Sequence, residues 1–287
     1  MVSKSKPVSF FHSEHRAMDV PGFALVTGAA SGIGRACAKT FARDGAAGVA
    51  LLDLNEDSLK AVKTEIDEEN AKRGRQCTID YYPIDVSKET SVDDVVNKVA
   101  SKFGRIDYVV NAAGIGFKHV GGAAFAQTKD WQRVLDVNLN GTFFVFRAAA
   151  KIMLKQDPIL SSIDGRPLQR GSIVNFASIQ AVVGISLSTS YAASKSAILG
   201  LTRSASEDYA KEGLRINAIC PGYTETPLTT SDPLILAAMQ EKVGKDVPMQ
   251  RMGFPQEIAD GVIYLCGGRS SFVTGTALMV DGGYTQR

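Results

Sequence analysis

Metal ligands are scarce in this chain of 287 residues. It has three histidines (His12, His15, His119) and four cysteines (Cys37, Cys77, Cys220, Cys266), all far apart and none in a C-x-x-C. That scatter argues against both a metal site and a disulfide framework, and a reducing compartment, the cytoplasm, is expected. An excess of one charge is lacking too. The 32 Lys and Arg against 30 Asp and Glu leave a net +2, which gives no reason to expect nucleic acid or an anionic membrane as partner. No apolar run is long enough to span a bilayer, and Arg147 and Lys151 interrupt the longest. Near the N-terminus the only hydrophobic core is Phe10-Phe11, too short for a signal peptide, while Glu14 and Asp19 argue against a mitochondrial presequence. Residues 1–20 are expected to form a flexible tail.

What is present is an alternation. From Pro21 onward, short apolar, β-branched runs at 23–27, 48–52, 76–82, 106–110, 172–177, 215–219 and 277–280 read as strands. Between them lie helical patterns near 33–44, 55–73, 91–103, 130–156 and 191–212. Asn55 or Asp57 can cap the second of these helices, and Gly45, Gly74 and Gly104 stand where helices stop. Such alternation predicts an α/β fold, a doubly wound parallel sheet of about seven strands with helices on both faces. No linker or repeat divides residues 21–287, so a single domain is expected. The 130–156 helix is apolar on nearly every side (Val134, Leu135, Val137, Leu139, Phe143 to Phe146). It should therefore be buried all round, in the core or against another subunit. Two connections are long: 157–170 reads as a surface excursion and 223–254 as a lid over the substrate.

Several spacings carry chemistry. Gly28, Gly32 and Gly34, with Ser31 and Ile33, form a glycine turn between the first strand and helix. Glycines there let the backbone approach a pyrophosphate, which the free N–H groups of the helix attract. Asp53 closes the second strand, where an acid can bind the adenosine ribose hydroxyls and repel the extra phosphate of NADP. No arginine follows it (Leu54-Asn55). NAD is expected rather than NADP; the alternative is that Asp53 only caps the next helix. Tyr191 and Lys195 stand one helical turn apart on one face. An unperturbed phenol near pKa 10 is a poor base at neutral pH. One ammonium about 4 Å away supplies roughly 4 kcal/mol at a dielectric of 20, enough to move it by about three units. Ser178 lies at the carboxyl edge of the fifth strand, as a turn residue or a catalytic one. Asn138 interrupts an apolar helix, as a structural anchor or part of a proton path. Pro221, Gly222, Thr224 and Thr226 lie at the carboxyl edge of the sixth strand.

Together these residues bring a resemblance. The chain resembles the short-chain dehydrogenase/reductase family in Thr27-Gly28-x-x-x-Gly32-x-Gly34, Asp85-Val86, Asn111-Ala112-Ala113-Gly114, Asn138, Ser178, Tyr191-x-x-x-Lys195 and Pro221-Gly222. The resemblance implies a Rossmann-like fold and an NAD(H)-dependent oxidoreductase acting on a secondary alcohol or ketone. It implies that Tyr191 is the acid/base, that Lys195 binds the nicotinamide ribose and lowers the phenol pKa, and that Ser178 bonds the substrate oxygen. Asn138 would hold a water between Lys195 and solvent. Asp85 and Val86 would contact adenine, Asn111 to Gly114 would border the cofactor, and Pro221, Gly222 and Thr226 would meet the carboxamide. A homotetramer is implied, with a dimer the alternative. The lid (Leu228, Leu236, Met239) and the segment after Ser178 (Ile179, Val182, Ile185) are mostly apolar, with Gln180 and Ser186 among them. A largely uncharged, cyclic or polyketide-like substrate is therefore expected. Lys118 and His119 are expected to be solvated, or else to touch a polar substituent. The rival readings are a non-catalytic NAD-binding regulator and a redox-neutral epimerase or dehydratase using the same Tyr–Lys pair.

Overall fold

The computed structural model describes residues 20–161, 164–231 and 233–286. The expected tail lies outside them except for Val20. In chain order the strands are β1 (Phe23–Thr27), β2 (Gly48–Asp53), β3 (Thr78–Pro83), β4 (Tyr108–Asn111), β5 (Gly171–Phe176), β6 (Leu214–Pro221) and β7 (Ala277–Val280). They form one parallel sheet in the order β3-β2-β1-β4-β5-β6-β7. The helices are α1 (Gly32–Asp44), α2 (Glu56–Lys72), α3 (Glu89–Phe103), α4 (Thr128–Leu135), α5 (Thr142–Met153), α6 (Thr189–Tyr209), α7 (Pro227–Thr230), α8 (Pro233–Asp246) and α9 (Pro255–Cys266).

Alternate residues of each strand serve opposite faces, and both faces are covered by helices, which is why the strands are mostly apolar. Ala24, Val26, Val49 and Leu51 pack with Cys37 and Phe41 of α1, Leu59 and Ile66 of α2, and Ile258 and Val262 of α9. Leu25, Ala50, Leu52 and Val109 face the other way, onto Val92 and Val96 of α3 and Val145, Ala149 and Met153 of α5. The helix ends follow local chemistry. Asn55 caps α2 by accepting the Ser58 N–H at 2.9 Å, and Gly45 closes α1 at φ 108°.

Three differences from the sequence reading have physical causes. The expected 130–156 helix is broken into α4, a π turn over 136–141 and α5. Its expected burial on all sides is corrected as well. Phe143 is 38 % exposed, and Arg147 lies over the Phe143 and Phe144 rings at 5.4 and 5.7 Å. An arginine stem can cover aromatic surface while its charge stays wet. Within 223–254 the chain forms α7 and α8 rather than loop. The sequence reading assigns no element to 255–266, yet α9 forms there. Pro255 takes its first turn, where a missing N–H costs nothing, and the Glu257 side chain accepts the Phe254 N–H at 2.8 Å. The far end of α9 is closed by the buried Arg215, whose guanidinium donates to the carbonyls of Leu265, Cys266 and Gly267. Among the described residues no helix is long and apolar enough to cross a membrane.

Candidate active site

The strand order reverses between β1 and β4, so connections leave in opposite directions there and a crevice opens above the carboxyl ends. Thr27 ties the crevice floor: its Oγ1 accepts the Ala113 N–H at 3.1 Å and donates to Val110 O. Two cavities meet above it. One, about 720 Å³, is lined by the glycine turn, Asp53, Leu54, Asp85, Val86 and Ala112 to Gly114. The other, about 470 Å³, is lined by Ser178, Tyr191, Lys195, Pro221, Gly222, Thr224 and Thr226. Ile33, Ala112, Gly114, Phe176, Thr226 and Leu228 wall both. A ligand with two connected ends can therefore lie across the pair.

The first cavity suits a dinucleotide on its own geometry. Ser31, the residue before α1, makes no side-chain cap, and the first turn of α1 carries no acid. Its N–H groups and positive dipole end are left for an anion. Gly34 is obligatory for the close approach, because a Cβ there would lie 2.2 Å from Gly28 O. Asp53 is held in place: its carboxylate accepts the N–H of Ala30 at 3.2 Å and of Asn55 at 3.1 Å. Leu54 beside it is 71 % exposed. Asp85 accepts the backbone N–H and the hydroxyl of Ser87 at 2.9 and 2.7 Å. Lys129 and Arg133 of α4 also line this cleft. The sequence reading does not single them out, since nothing local brings α4 to the edge of β1.

In the second cavity α6 presents its first turns. Lys195 is buried, and its Nζ donates to Phe176 O at 2.7 Å and lies 5.5 Å from the centre of the Tyr191 ring. The expected lowering of the Tyr191 phenol by Lys195 is not found in the cofactor-free chain: burial pushes the phenol above its ordinary value, and the opposing pull comes from the Ser178 hydroxyl bonded to it. Burial also lowers Lys195, to about 8, against a smaller opposing effect of Cys220. Ser178 Oγ is oriented by accepting the Gln180 N–H at 3.1 Å.

Two expected site residues stand behind the walls rather than on them. Asn111 is buried and donates to Asn175 Oδ1 at 2.9 Å, and Asn175 in turn donates to Thr202. Asn138, wholly buried in the π turn, accepts the Ile115 N–H at 2.8 Å and donates to Ile115 O and Ser194 Oγ. It thereby locks the loop after β4 to α6. His119, expected to be solvated, is only 3 % exposed, with Nε2 at 2.8 Å from Ser190 Oγ.

The Lys195 value carries a test. The pKa is lower folded, about 8, than unfolded, about 10.4. The unfolded chain therefore binds more protons between those values, and stability rises with pH across that window. The penalty for the buried ammonium, up to about 3 kcal/mol, is fully present below pH 8 and is relieved above it. In thermal unfolding of the cofactor-free protein from pH 7.5 to 10, wild type should gain on Lys195→Met. Parallel curves would contradict this account.

A crevice at the strand reversal, joined to a chamber holding a phenol and an ammonium, is the layout of a dinucleotide-dependent oxidoreductase. The comparisons agree. The family model described as Enoyl-(Acyl carrier protein) reductase matches residues 28–285. The chain is 40% identical over 270 residues to short-chain dehydrogenase fogB of Aspergillus ruber, covering 93% of this chain and 98% of the relative. It is 35% identical over 259 residues to 3-oxoacyl-[acyl-carrier-protein] reductase FabG of Thermotoga maritima (90% and 96% covered). A gluconate 5-dehydrogenase from Burkholderia cenocepacia, solved with NADP and tartrate, superposes with TM-score 0.80 at 30% identity (95% and 98% covered). The chain belongs to the short-chain dehydrogenase/reductase family. It is an oxidoreductase acting between CH–OH and C=O, and membership implies a nicotinamide cofactor and a small-molecule substrate.

Proposed function

We propose that the protein uses NAD(H) in preference to NADP(H) and acts on a secondary alcohol or ketone of a largely uncharged, cyclic or polyketide-like molecule. The observation that carries this reading is the shared wall between the two cavities, with Tyr191 and Lys195 lining one and Asp53 lining the other. The cofactor gives or accepts the hydride; the chain manages position and proton. Tyr191 passes a proton to the substrate oxygen during reduction and takes it during oxidation. Ser178 donates to that oxygen and holds the phenol facing it. Lys195, anchored on Phe176 O, orients the nicotinamide ribose and favours the phenolate by its charge. Asn138 has its side chain bonded to Ile115 and Ser194 and its backbone carbonyl accepts the Thr142 hydroxyl at 2.8 Å, so a water on the path from Lys195 to solvent would share that carbonyl with Thr142.

Asp53 supports NAD, since a carboxylate lining the dinucleotide cleft would repel the 2′-phosphate of NADP and Leu54 beside it offers no counter-charge. Ile179, Ile185, Leu228 and Met239 support a mainly apolar substrate. The relative named a 3-oxoacyl-[acyl-carrier-protein] reductase supports an acyl-chain ketone as one form of it. Leu228, Thr229 and Met239, from α7 and α8, line the substrate cavity, which supports 223–254 as a lid. The half-open Phe143 face of α5 supports a homotetramer, a dimer being the alternative; light scattering measures which. The deciding experiment is a panel of cyclic ketones and secondary alcohols assayed with NAD and NADP in both redox states. A preference for NADP overturns the Asp53 reading. Conversion without change in reduced-nicotinamide absorbance favours an epimerase or dehydratase.

A further inference from the structure

Resting on the oxidoreductase reading above, we propose that Lys118 determines specificity. The substrate carries one anionic group, a carboxylate or a phosphate, on an otherwise uncharged body and away from the reacting carbon. The argument begins with the charges around the substrate cavity. Among the described residues its lining includes two cations, Lys118 and Lys195, and no carboxylate. Lys195 is buried and bonded to Phe176 O at 2.7 Å. Lys118 makes no hydrogen bond or ion pair among the described residues, and the cavity it lines is also lined by Phe117, Ile185, Leu228 and Met239. Lys118 is exposed, so an ion pair formed there is partly solvated and sensitive to salt.

A surface lysine is ordinarily just solvated. Here the backbone that carries Lys118 is fastened on its far side. His119 is buried, its Nε2 lies 2.8 Å from Ser190 Oγ, and its N–H donates to Leu187 O at 2.8 Å. Leu187 adopts φ 65°, a conformation non-glycine residues seldom hold without surrounding support. The Phe117 ring packs on the His119 imidazole at 5.2 Å. Ser190 directly precedes Tyr191. The segment around Lys118 is thus clamped to the start of the helix that bears the reacting phenol, and Lys118 lines the same cavity as that phenol. A substrate whose carbonyl sits at Tyr191 meets that charge at its other end.

The test uses the NADH complex of the whole protein. Levulinate and longer oxo acids are assayed beside their methyl esters, and dihydroxyacetone phosphate beside dihydroxyacetone. For wild type, kcat/KM should favour the charged member in at least one arm by about tenfold, the scale of one charge-assisted hydrogen bond. The preference should shrink with added salt, vanish in Lys118→Ala and reverse in Lys118→Glu, with the neutral members unaffected. The arm that shows it identifies carboxylate or phosphate. No preference in wild type, in turnover or in calorimetric binding to the NADH complex, overturns the proposal. So does an equal loss for charged and neutral members in Lys118→Ala. Turnover of the neutral ketones without any anion preference leaves the ketone-reductase reading standing and removes only this one. Preferential binding of the anions without any hydride transfer does the opposite.

Discussion

Tyr191→Phe is expected to lower kcat by about 10²–10⁴-fold, the usual contribution of a positioned acid/base, while dinucleotide affinity is unchanged. The substitution deletes one oxygen and leaves the ring beside Lys195, so neither the Phe176 anchor nor the glycine turn is disturbed. No other described residue lining the chamber offers a phenol or imidazole near Ser178 except Tyr223, whose phenol burial pushes well up and which packs edge-on against Tyr284. Turnover should be followed by reduced-nicotinamide absorbance and cofactor binding by fluorescence titration. Retained turnover would remove Tyr191 from the mechanism. A cellular effect that survives loss of turnover would favour the regulator reading.

The second large effect is expected at Asp53. Asp53→Ala should lower the ratio of kcat/KM with NAD to that with NADP by about 10²-fold. The gain comes from removing a carboxylate that, about 4 Å from a phosphate charge, opposes it by roughly 4 kcal/mol at a dielectric of 20. The loss is of acceptors for the ribose hydroxyls, each charge-assisted bond being worth about 1.5–3 kcal/mol. Asp53 also accepts the Ala30 N–H within the glycine turn, so Ala loosens the turn itself. Asp53→Asn keeps an acceptor and the side-chain shape while removing the charge. It should relax the rejection of NADP while costing less with NAD. If wild type already prefers NADP, or if neither variant moves the ratio, Asp53 is only a helix-side anchor.

Much of the frame was legible because it is written in short-range periodicity. Strand 23–27 agrees with β1 residue for residue, since five apolar or β-branched residues between Gly22 and Gly28 have few other options. The strand expected over 76–82 runs over Thr78–Pro83, with Pro83 pairing with Asp53 as its last residue. β3 is an edge strand, where a missing N–H breaks no ladder. The break in the 130–156 helix was not legible. Asn138, Asn140, Gly141 and Thr142 weaken the helix there, but the form of the break, a π turn, is accompanied by contacts from elsewhere: Asn138 to Ile115 and Ser194, and Gly141 against Val86, where a Cβ would lie 2.8 Å from the valine methyl.

By itself the sequence determined the alternation that builds a parallel sheet, the glycine turn that admits a diphosphate, and a tyrosine and lysine on one helical face. All of these follow from neighbours within one strand or one turn. Only the tertiary structure decided which groups stand against them: the Phe176 carbonyl under Lys195, the clamp from His119 to Ser190, and, among the described residues, a chamber lining beside Lys118 without a carboxylate. Those partners come from separate elements, and burial at a crevice is a property of how packed layers meet, which no spacing along the chain encodes.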